Sequence, residues 1–452
     1  MIPIVTPEEM AAIDRAAPEP VDELIERAGA AVARQAVRML GGTYGRRVAV
    51  VAGKGNNGND GRAAAVRLRR RGVRVAVYDA AGVPARLPPC DLVIDAAYGT
   101  GFRGRYRAPD AGDAPVLAVD IPSGVNGLTG EADDDAVTAD TTVTFAALKP
   151  GLVLLPGRQR TGTVVVADIG LDVSSARAHL VETVDVAAWL PSRPLDAHKW
   201  RSAVWVIAGS PGMTGAAVLA ARGAQRGGAG YVRLSVPAAG TEVGAPVEVV
   251  TTDLPTEGWD KEVLDGVGRF KAIVVGPGLG PGLAPEVRRL VAGGPVPTVV
   301  DGDGLNALGA AAAEFTRSTT ILTPHDKEYE RLAGRPPGPD RIGATRDLAR
   351  STGAVVLLKG PTTVIAGPDG RALVTTTGGP SLATAGTGDV LAGLVVALCA
   401  GGTEPLAAAG AAAFVHGVAG VVFGPGLVAG DLADRIPGVM AEVARARPST
   451  DR

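Results

Sequence analysis

Short apolar runs, separated by longer mixed segments, recur along most of the chain and predict alternating strands and helices. In the first half, such runs cover residues 47–52, 73–78, 92–95 and 116–120. Residues 62–68 lie between the first two runs, follow a glycine-rich turn and favour a helix. A strand–loop–helix–strand order is typical of parallel sheets. The pattern therefore predicts an α/β domain in this half.

The same alternation begins again near residue 200. The apolar runs that predict strands there cover residues 203–208, 231–236, 271–275, 298–301, 319–323, 354–358 and 363–366. Between the two series, Pro191 and Pro194 interrupt residues 190–195, as is common in linkers. We therefore predict two domains, residues 1–190 and 191–452. The two halves do not repeat each other's motifs, which indicates a fusion rather than a duplication.

Composition and charge narrow the range of partners. The chain has 452 residues, 46% of them hydrophobic, and is too long for one ordinary core. A formal net charge of -2 gives no basic excess to attract nucleic acid or acidic lipid. The uncharged stretch 405–430 is mostly Ala and Gly between Glu404 and Asp431, which favours a buried helix over a membrane span. No signal-peptide pattern opens the sequence, so we expect a cytoplasmic protein without nucleic-acid or membrane partners.

The clearest chemical motif is the glycine loop at residues 385–393, which leads into an apolar helix. The free N–H groups at a helix N-terminus, with the positive end of the helix dipole, attract a phosphate or a developing anion. Asp389 in that first turn could take a proton from a substrate hydroxyl as the hydroxyl attacks phosphorus. The alternative is an ordinary helix start at which Asp389 is only a favourable charge.

Two further polar residues follow predicted strands in the same half. Lys359 ends one strand and could contact a nucleotide phosphate, whereas His325 follows another strand within Thr323-Pro324-His325. Ligands of open α/β sheets bind at the carboxyl ends of the strands. The alternative for Lys359 is a lysine that only contacts solvent, and the alternative for His325 is a histidine with a purely structural role.

These motifs together resemble the nicotinamide-nucleotide-hydrate dehydratase branch of the ribokinase-like superfamily. The matching segments are residues 275–280, 301–306, 323–325, 359–360 and 385–393, with a further His-Lys pair at 198–199. The resemblance implies a ribokinase-like α/β/α domain that removes water from hydrated NADH or NADPH, using a nucleotide as phosphoryl donor. We expect ADP as that nucleotide, together with a magnesium ion.

The resemblance also implies residue roles in this domain. The hydrate would contact Ala216, Gly278, His325 and Asp389, with Asp389 as the base, and ADP would contact Lys359, Gly360, Pro361, Thr362, Thr363 and Gly388. The family usually has Pro-Gly-Glu after Pro-His, but Asp326-Lys327-Glu328 stands here. That departure puts the loop geometry in doubt more than the chemistry.

In the first half, residues 53–61 form an Asn- and Gly-rich loop between a strand and a helix. We do not assign it as the dinucleotide fingerprint, because GxGxxG alone is a weak signal and no acidic residue except Asp79 ends the second strand at the expected place. The loop could still bind phosphate, and its adjacent amides suit a hard cation. Asp95 and Asp120 each end a strand and precede a glycine-containing turn. The alternative for the loop is an ordinary Asn/Gly-rich surface turn without a ligand. The alternative for Asp95 and Asp120 is that these carboxylates only form turns.

The three turns together resemble the YjeF-type N-terminal domain, the epimerase of NADH and NADPH hydrates. The resemblance implies a Rossmann-like three-layer α/β/α sandwich in which Asp120 transfers protons and potassium binds Asn57, Asp95 and Ser123. The hydrate would contact Asn56, Asn57, Gly58, Asn59, Asp60, Gly99, Thr100, Gly101, Phe102, Arg103, Gly104, Arg105 and Asp120. The family commonly has glycine where Asn59 stands, and asparagine tolerates the left-handed backbone better than most residues.

The resemblance therefore implies a bifunctional enzyme, which epimerises the R and S hydrates and dehydrates the S hydrate back to NADH or NADPH. Hydration at C6 creates two epimers, and one shaped pocket with one base should accept only one of them. The alternative is a ribokinase-like small-molecule kinase with a non-catalytic N-terminal nucleotide-binding module. We also expect the chain to form a homo-oligomer.

Overall fold

The computed structural model describes residues 1–238 and 243–447. The chain forms two compact units, residues 2–178 (the N-terminal unit) and residues 179 onward together with Met1 (the C-terminal unit). The boundary predicted near residue 190 falls later than this division. Residues 179–190 belong to the C-terminal unit, where Leu190 and Val186 join the hydrophobic core.

In the N-terminal unit, a glycine-rich turn follows a buried strand and leads into a helix, as the apolar pattern predicts. Its strands are β1 (Ile2–Ile4), β2 (Arg47–Ala52), β3 (Arg74–Asp79), β4 (Leu92–Ala96), β5 (Val116–Val119), β6 (Thr141–Phe145) and β7 (Thr163–Ala167). Its helices are α1 (Pro7–Ala16), α2 (Val21–Leu40), α3 (Asn56–Arg70) and the single turn α4 (Pro150–Val153).

Six parallel strands form the sheet of this unit, in the order β3-β2-β4-β5-β6-β7. Because side chains alternate along a strand, β2 contributes to a core on each face. Val48 and Val50 pack with α2 and α3, whereas Ala49 and Val51 pack with Tyr106 and other residues of the opposite face. The strand order reverses between β2 and β4, which is where open α/β sheets bind ligands.

The C-terminal unit has a larger mixed sheet. Its strands are β8 (Ala178–Leu180), β9 (Ala203–Ile207), β10 (Tyr231–Ser235), β11 (Val250–Thr251), β12 (Ala272–Val275), β13 (Thr298–Val300), β14 (Thr320–Leu322), β15 (Val355–Leu358), β16 (Thr363–Ala366) and β17 (Ala372–Thr375). Its helices are α5 (Thr183–Trp189), α6 (Thr214–Arg226), α7 (Trp259–Gly266), α8 (Ala284–Gly293), α9 (Asp303–Leu308), α10 (Asp326–Ala333), α11 (Arg341–Thr352), α12 (Thr387–Ala400), α13 (Pro405–Val421) and α14 (Ala429–Ala444).

The strand order of this sheet is β8-β17-β16-β15-β14-β13-β12-β9-β10-β11. The strands from β15 to β11 in that order pair in parallel, whereas β15, β16 and β17 pair antiparallel. Helices α6 and α12 approach closely because small residues face each other: a Cβ on Gly393 would overlap the Ala220 carbonyl oxygen. The first turn of α12 thus lies against the second half of α6, where a Cβ on Gly223 would overlap the Val390 carbonyl oxygen.

The predicted α/β class is confirmed in both units. The uncharged stretch 405–430 contains α13, whose residues are mostly buried in the core, as predicted. Within residues 1–238 and 243–447, no helix has both the length and the apolar character needed to cross a membrane.

Candidate active sites

A cleft of about 1030 Å³ opens at the carboxyl ends of β2, β3, β4 and β5 in the N-terminal unit. One wall is apolar and comes from α1 and α2, with Met10, Leu24 and Ile25. The other wall is the edge of the sheet with its polar turns. Its residues include Gly53, Lys54, Gly55, Asn56, Asn57, Asp60, Asp79, Tyr98, Gly99, Thr100, Gly101, Phe102, Asp120 and Lys149.

Helix α3 begins inside this cleft. Gly55 occupies the N-cap position and supplies no side-chain cap, so the first backbone N–H groups of the helix are available to a ligand. Gly58 lies so close to the strand-to-helix turn that a Cβ would overlap the Gly53 carbonyl oxygen. The glycine at position 58 therefore shapes the loop.

Asp120 is the best-anchored carboxylate of the cleft. Its φ of 67° lies in the left-handed region, which aspartate tolerates better than most residues. One oxygen lies 2.7 Å from Lys149 Nζ, and the other accepts the Thr100 N–H at 2.9 Å. Lys149 is 1% exposed and also donates to the Thr144 hydroxyl at 2.9 Å. The pair thus places a carboxylate of fixed position next to a buried ammonium group in the cleft.

Asp60 lies in the second turn of α3 and is 8% exposed. Burial, and then the charges of Asp120 and Asp14, raise the pKa of Asp60 to about 8. At neutral pH the Asp60 carboxyl therefore holds a proton, whereas the Asp120 carboxyl is paired with the Lys149 ammonium. The cleft presents a proton donor and a proton acceptor together, which is the arrangement of paired catalytic carboxylates.

The predicted cation ligands lie beside this cleft. Asp95 is 2% exposed, and its oxygens accept the Ser123 hydroxyl at 2.7 Å and the Ser123 N–H at 2.8 Å. Burial raises the pKa of Asp95 to about 6, although these hydrogen bonds lower it. The amide oxygen and nitrogen of Asn57 are buried without a hydrogen-bond partner. A carboxylate, a hydroxyl and an unpartnered amide oxygen are donors that suit a potassium ion.

The structure separates some of the residues predicted to bind the hydrate. Asn56, Asn57, Asp60, Asp120 and residues 99–102 line the cleft together. Gly58, Asn59, Arg103, Gly104 and Arg105 are not among its lining residues. Arg105 instead pairs with Asp133 at 2.9 Å and is largely exposed.

In the C-terminal unit, Asp389 stands at the third position of α12, directly after the glycine loop. Lys359 Nζ is 3.6 Å from the point where a Gly388 Cβ would stand, so its ammonium faces the loop. Burial, and then the Asp301 charge, raise the pKa of Asp389 to about 7, although the Lys359 charge lowers it. A group with this pKa can take and return a proton near neutral pH.

Buried polar contacts fix the position of Lys359. Its ammonium lies 2.8 Å from an oxygen of Asp301 and 3.6 Å from Glu328. Thr323 donates to the same Asp301 oxygen at 2.8 Å. These contacts restrain the Lys359 side chain, so its ammonium is held beside the glycine loop. A positive charge held there favours binding of an anionic group.

Ala216 and Gly278, which were predicted to bind the hydrate, are close neighbours: a Cβ on Gly278 would lie 3.0 Å from Ala216 Cβ. Ala216 lies in the first turn of α6. His325 is the N-cap of α10, and its Nδ1 accepts the N–H groups of Lys327 and Glu328 at 3.1 and 3.3 Å. The other ring nitrogen, Nε2, lies 3.5 Å from Oε1 of Glu328, and the His325 side chain is half exposed.

Comparison with known proteins identifies the families of both units. The model of the NAD(P)H-hydrate dehydratase family matches residues 204–437, and that of the YjeF-related protein N-terminus matches residues 21–88 and 79–151. A bifunctional NAD(P)H-hydrate repair enzyme of Salinibacter ruber is 38% identical, across 97% of this chain and 96% of that protein. One of Moorella thermoacetica is 35% identical over the same shares. The chain belongs to the family of bifunctional NAD(P)H-hydrate repair enzymes.

A solved structure supports the fold of the C-terminal unit. The ADP/ATP-dependent NAD(P)H-hydrate dehydratase of Bacillus subtilis, co-crystallised with ATP and Mg²⁺, is 30% identical with a TM-score of 0.50. It covers 58% of this chain and 97% of its own. The predicted family of both halves is thus confirmed, whereas the roles of individual residues remain predictions.

The departure at Asp326 has a structural explanation in this repair enzyme. Asp326 pairs with Arg341 at 2.8 Å, and Arg341 also donates to the Lys359 carbonyl oxygen at 3.0 Å. Glu328 keeps its place in the capping box and accepts the His325 N–H at 2.8 Å. The changed loop is therefore tied to the turn at residues 359–363 that is predicted to bind nucleotide.

Four site residues were missing from the sequence-based prediction: Lys149, Asp301, Glu328 and His416. His416, on α13, is 7% exposed, and its Nε2 lies 2.9 Å from the Thr387 carbonyl oxygen at the start of α12. Burial lowers the pKa of His416 to about 4, so the ring is neutral. Lys149 offered a signal, because residues 1–190 contain only one other lysine, Lys54.

The pKa of Asp389 gives a pH prediction for this repair enzyme. A base must be ionised to accept a proton, and burial raises the pKa of Asp389 to about 7. We expect kcat/KM for dehydration to rise about tenfold per pH unit below pH 7 and to level off above it. Stopped-time assays with the S hydrate from pH 5 to pH 9 would measure this profile. A rate that stays constant down to pH 5 would contradict the assignment.

Proposed function

We propose that this chain restores hydrated NADH and NADPH in two steps. The N-terminal unit interconverts the R and S hydrates, and the C-terminal unit dehydrates the S hydrate with ADP as phosphoryl donor. The observation that carries the proposal is the convergence of Asp389 and Lys359 at the start of α12. The full-length similarity to bifunctional relatives supports the joint activity.

In the dehydratase step, the Asp389 carboxylate takes the proton of the C6 hydroxyl, and the oxygen attacks the terminal phosphorus of the nucleotide. The P–O bond to the remaining nucleotide breaks. The C6–O bond then breaks with phosphate as leaving group, and loss of a C5 proton restores the C5=C6 double bond. Lys359 and the first N–H groups of α12 stabilise the negative charge that develops on the phosphoryl oxygens.

In the epimerase step, Asp60 supplies a proton, and Asp120, which is paired with Lys149, accepts one. Asp60 gives its proton to the C6 hydroxyl, the C6–O bond breaks and the ring nitrogen forms a double bond to C6. A water molecule then adds to the other face of C6, and its proton passes to Asp120. Exchange with solvent returns both carboxyls to their starting states.

Magnesium would accompany the nucleotide, and the carboxylates beside Lys359 fit it. Asp301 and Glu328 face the loop, and Mg²⁺ is commonly held by one or two carboxylates together with substrate phosphates. When bound, the ion would neutralise phosphate charge.

Potassium is expected to stabilise the N-terminal unit. Asn57, Asp95 and Ser123 come from three strand-end turns, and one carboxylate with neutral oxygens suits a singly charged cation. We expect the melting temperature of the full chain to rise with potassium by linkage. Asp95→Asn should weaken the rise, because it removes the only formal charge of the set. Equal rises with potassium and with a large cation at the same ionic strength would contradict a specific site.

The alternative is a small-molecule kinase whose N-terminal unit only binds nucleotide. It would release a phosphorylated product, whereas the repair enzyme releases phosphate and a reduced dinucleotide. When purified R hydrate is incubated with the enzyme without nucleotide, S hydrate should form, and chromatography would detect it. Adding ADP or ATP should then produce the absorbance of reduced nicotinamide with one phosphate per turn. A stable phosphorylated hydrate, or no epimer exchange, would contradict the proposal.

A cytoplasmic location and a homo-oligomer stay predictions. Light scattering of the purified full-length chain would give its mass in solution and so decide the oligomeric state.

A further inference from the structure

One acidic residue at the cleft has no part in the mechanism above. Asp79 is the last residue of β3, level with Ala52 of β2, and lines the cleft together with residues 80–82. Its side chain is 74% exposed and lies 3.0 Å from Nη2 of Arg62. The sheet order therefore places Asp79 at one end of the cleft and Asp120, after β5, at the other.

The substrate has to span this edge. Neighbouring strands are about 4.8 Å apart, so the ends of β3 and β5 are separated by roughly 14 Å across β2 and β4. The hydrated dinucleotide has two nucleosides joined by a pyrophosphate. If the reactive ring lies at Asp120, the uncapped start of α3 suits the pyrophosphate, because helix N-termini bind phosphate. The adenosine half then reaches the end of β3.

We infer that the epimerase site binds the adenosine ribose at the end of β3, with Asp79 accepting the 2′-hydroxyl hydrogen, and therefore prefers NADH hydrate to NADPH hydrate. NADPH hydrate carries a 2′-phosphate in place of that hydroxyl. The phosphate cannot donate to Asp79, and its charge would lie beside the Asp79 carboxylate. This inference rests on the proposed epimerase function.

The nearby cations do not compensate for that repulsion. Arg62 is held by two contacts, since Nη1 donates to the Gly53 carbonyl oxygen at 2.7 Å and Nη2 to Asp79. If Arg62 bound a 2′-phosphate, its contact with Asp79 would be lost. The described residues that line the cleft include the lysines Lys54 and Lys149 but no arginine. Lys149 is paired with Asp120, and Lys54 belongs to the turn expected at the pyrophosphate.

The test compares the two hydrates in the epimerase reaction of the full chain, without nucleotide. We expect kcat/KM to be about tenfold higher for NADH hydrate, a modest ratio because the pair is exposed and screened. Asp79→Asn should bring the ratio close to one, by lowering the value for NADH hydrate and raising that for NADPH hydrate as Arg62 becomes available. Asp79→Ser, which also removes the charge, should act in the same direction.

Asp91→Asn is the matched control. Asp91 pairs with Arg46 at 2.8 Å and directly precedes β4, so it lies at the amino ends of the strands, away from the cleft. This variant should keep the wild-type ratio. Equal kcat/KM values for the two hydrates in the wild type, or a ratio that Asp79→Asn leaves unchanged, would overturn the inference. A wild type that epimerises neither hydrate would instead contradict the proposed function.

Discussion

Replacing Asp389 by Asn is expected to lower the turnover of dehydration by about 10²–10⁴-fold, the usual contribution of a general base. The amide keeps the size of the carboxyl but cannot accept the proton of the C6 hydroxyl. Nucleotide affinity should change little, because we expect Lys359 and the first N–H groups of α12, rather than Asp389, to bind the phosphates. Turnover by absorbance and ADP binding by calorimetry measure the two effects separately.

Asp431→Asn is the control that tests whether Asp389 is only a helix-start charge. Asp431 occupies the third position of α14 after Ala-Gly, just as Asp389 occupies the third position of α12 after Thr-Gly. A charge at a helix start contributes only about 0.3–1 kcal/mol. The control should therefore keep its turnover within about twofold. A residual turnover above about a tenth in Asp389→Asn would contradict the role of the base.

Asp120→Asn is expected to leave S hydrate fully repairable and to leave R hydrate unrepaired. Only interconversion is lost, so the rate after S hydrate is exhausted should fall by about 10²–10⁴-fold, towards the spontaneous rate. Asn is the suitable replacement because the φ of 67° disfavours alanine. Asn also keeps an oxygen that can accept a hydrogen bond from the buried Lys149, which alanine does not.

The quantity to compare is the initial slope of the second phase, since spontaneous epimerisation hides the effect at long times. Asp91→Asn, in the same unit and away from the cleft, should keep the wild-type slope. Equal second-phase slopes in Asp120→Asn and the wild type would remove Asp120 from the epimerase reaction.

Local motifs were the predictable part of these sites. The loop before Asp389 could be recognised because a helix N-terminus is built from consecutive residues. The turns after β2, β4 and β5 were predictable because parallel strands end at one edge of the sheet. Both families followed from these motifs, and the comparisons confirm them.

Contacts between distant segments were not predictable. The pair of Lys149 with Asp120 depends on how the turn after β6 folds back, and no local pattern specifies that geometry. His325 caps α10 through its ring nitrogen, although histidine is not a typical capping residue. Arg341 compensates for Asp326 from a separate helix. The boundary predicted near residue 190 followed the Pro-rich stretch 190–195, most of which is exposed, whereas Val186 and Leu190 just before it pack in the core of the C-terminal unit.

The most direct test of joint repair is the end point of a reaction with mixed hydrate epimers, ADP and Mg²⁺. Reduced nicotinamide is followed by its absorbance, at times short enough to exclude spontaneous epimerisation. If both sites work as proposed, the wild type recovers all of the hydrate, whereas Asp120→Asn recovers only the S fraction and Asp389→Asn almost none. Recovery that stops at the S fraction in the wild type would contradict joint repair by one chain.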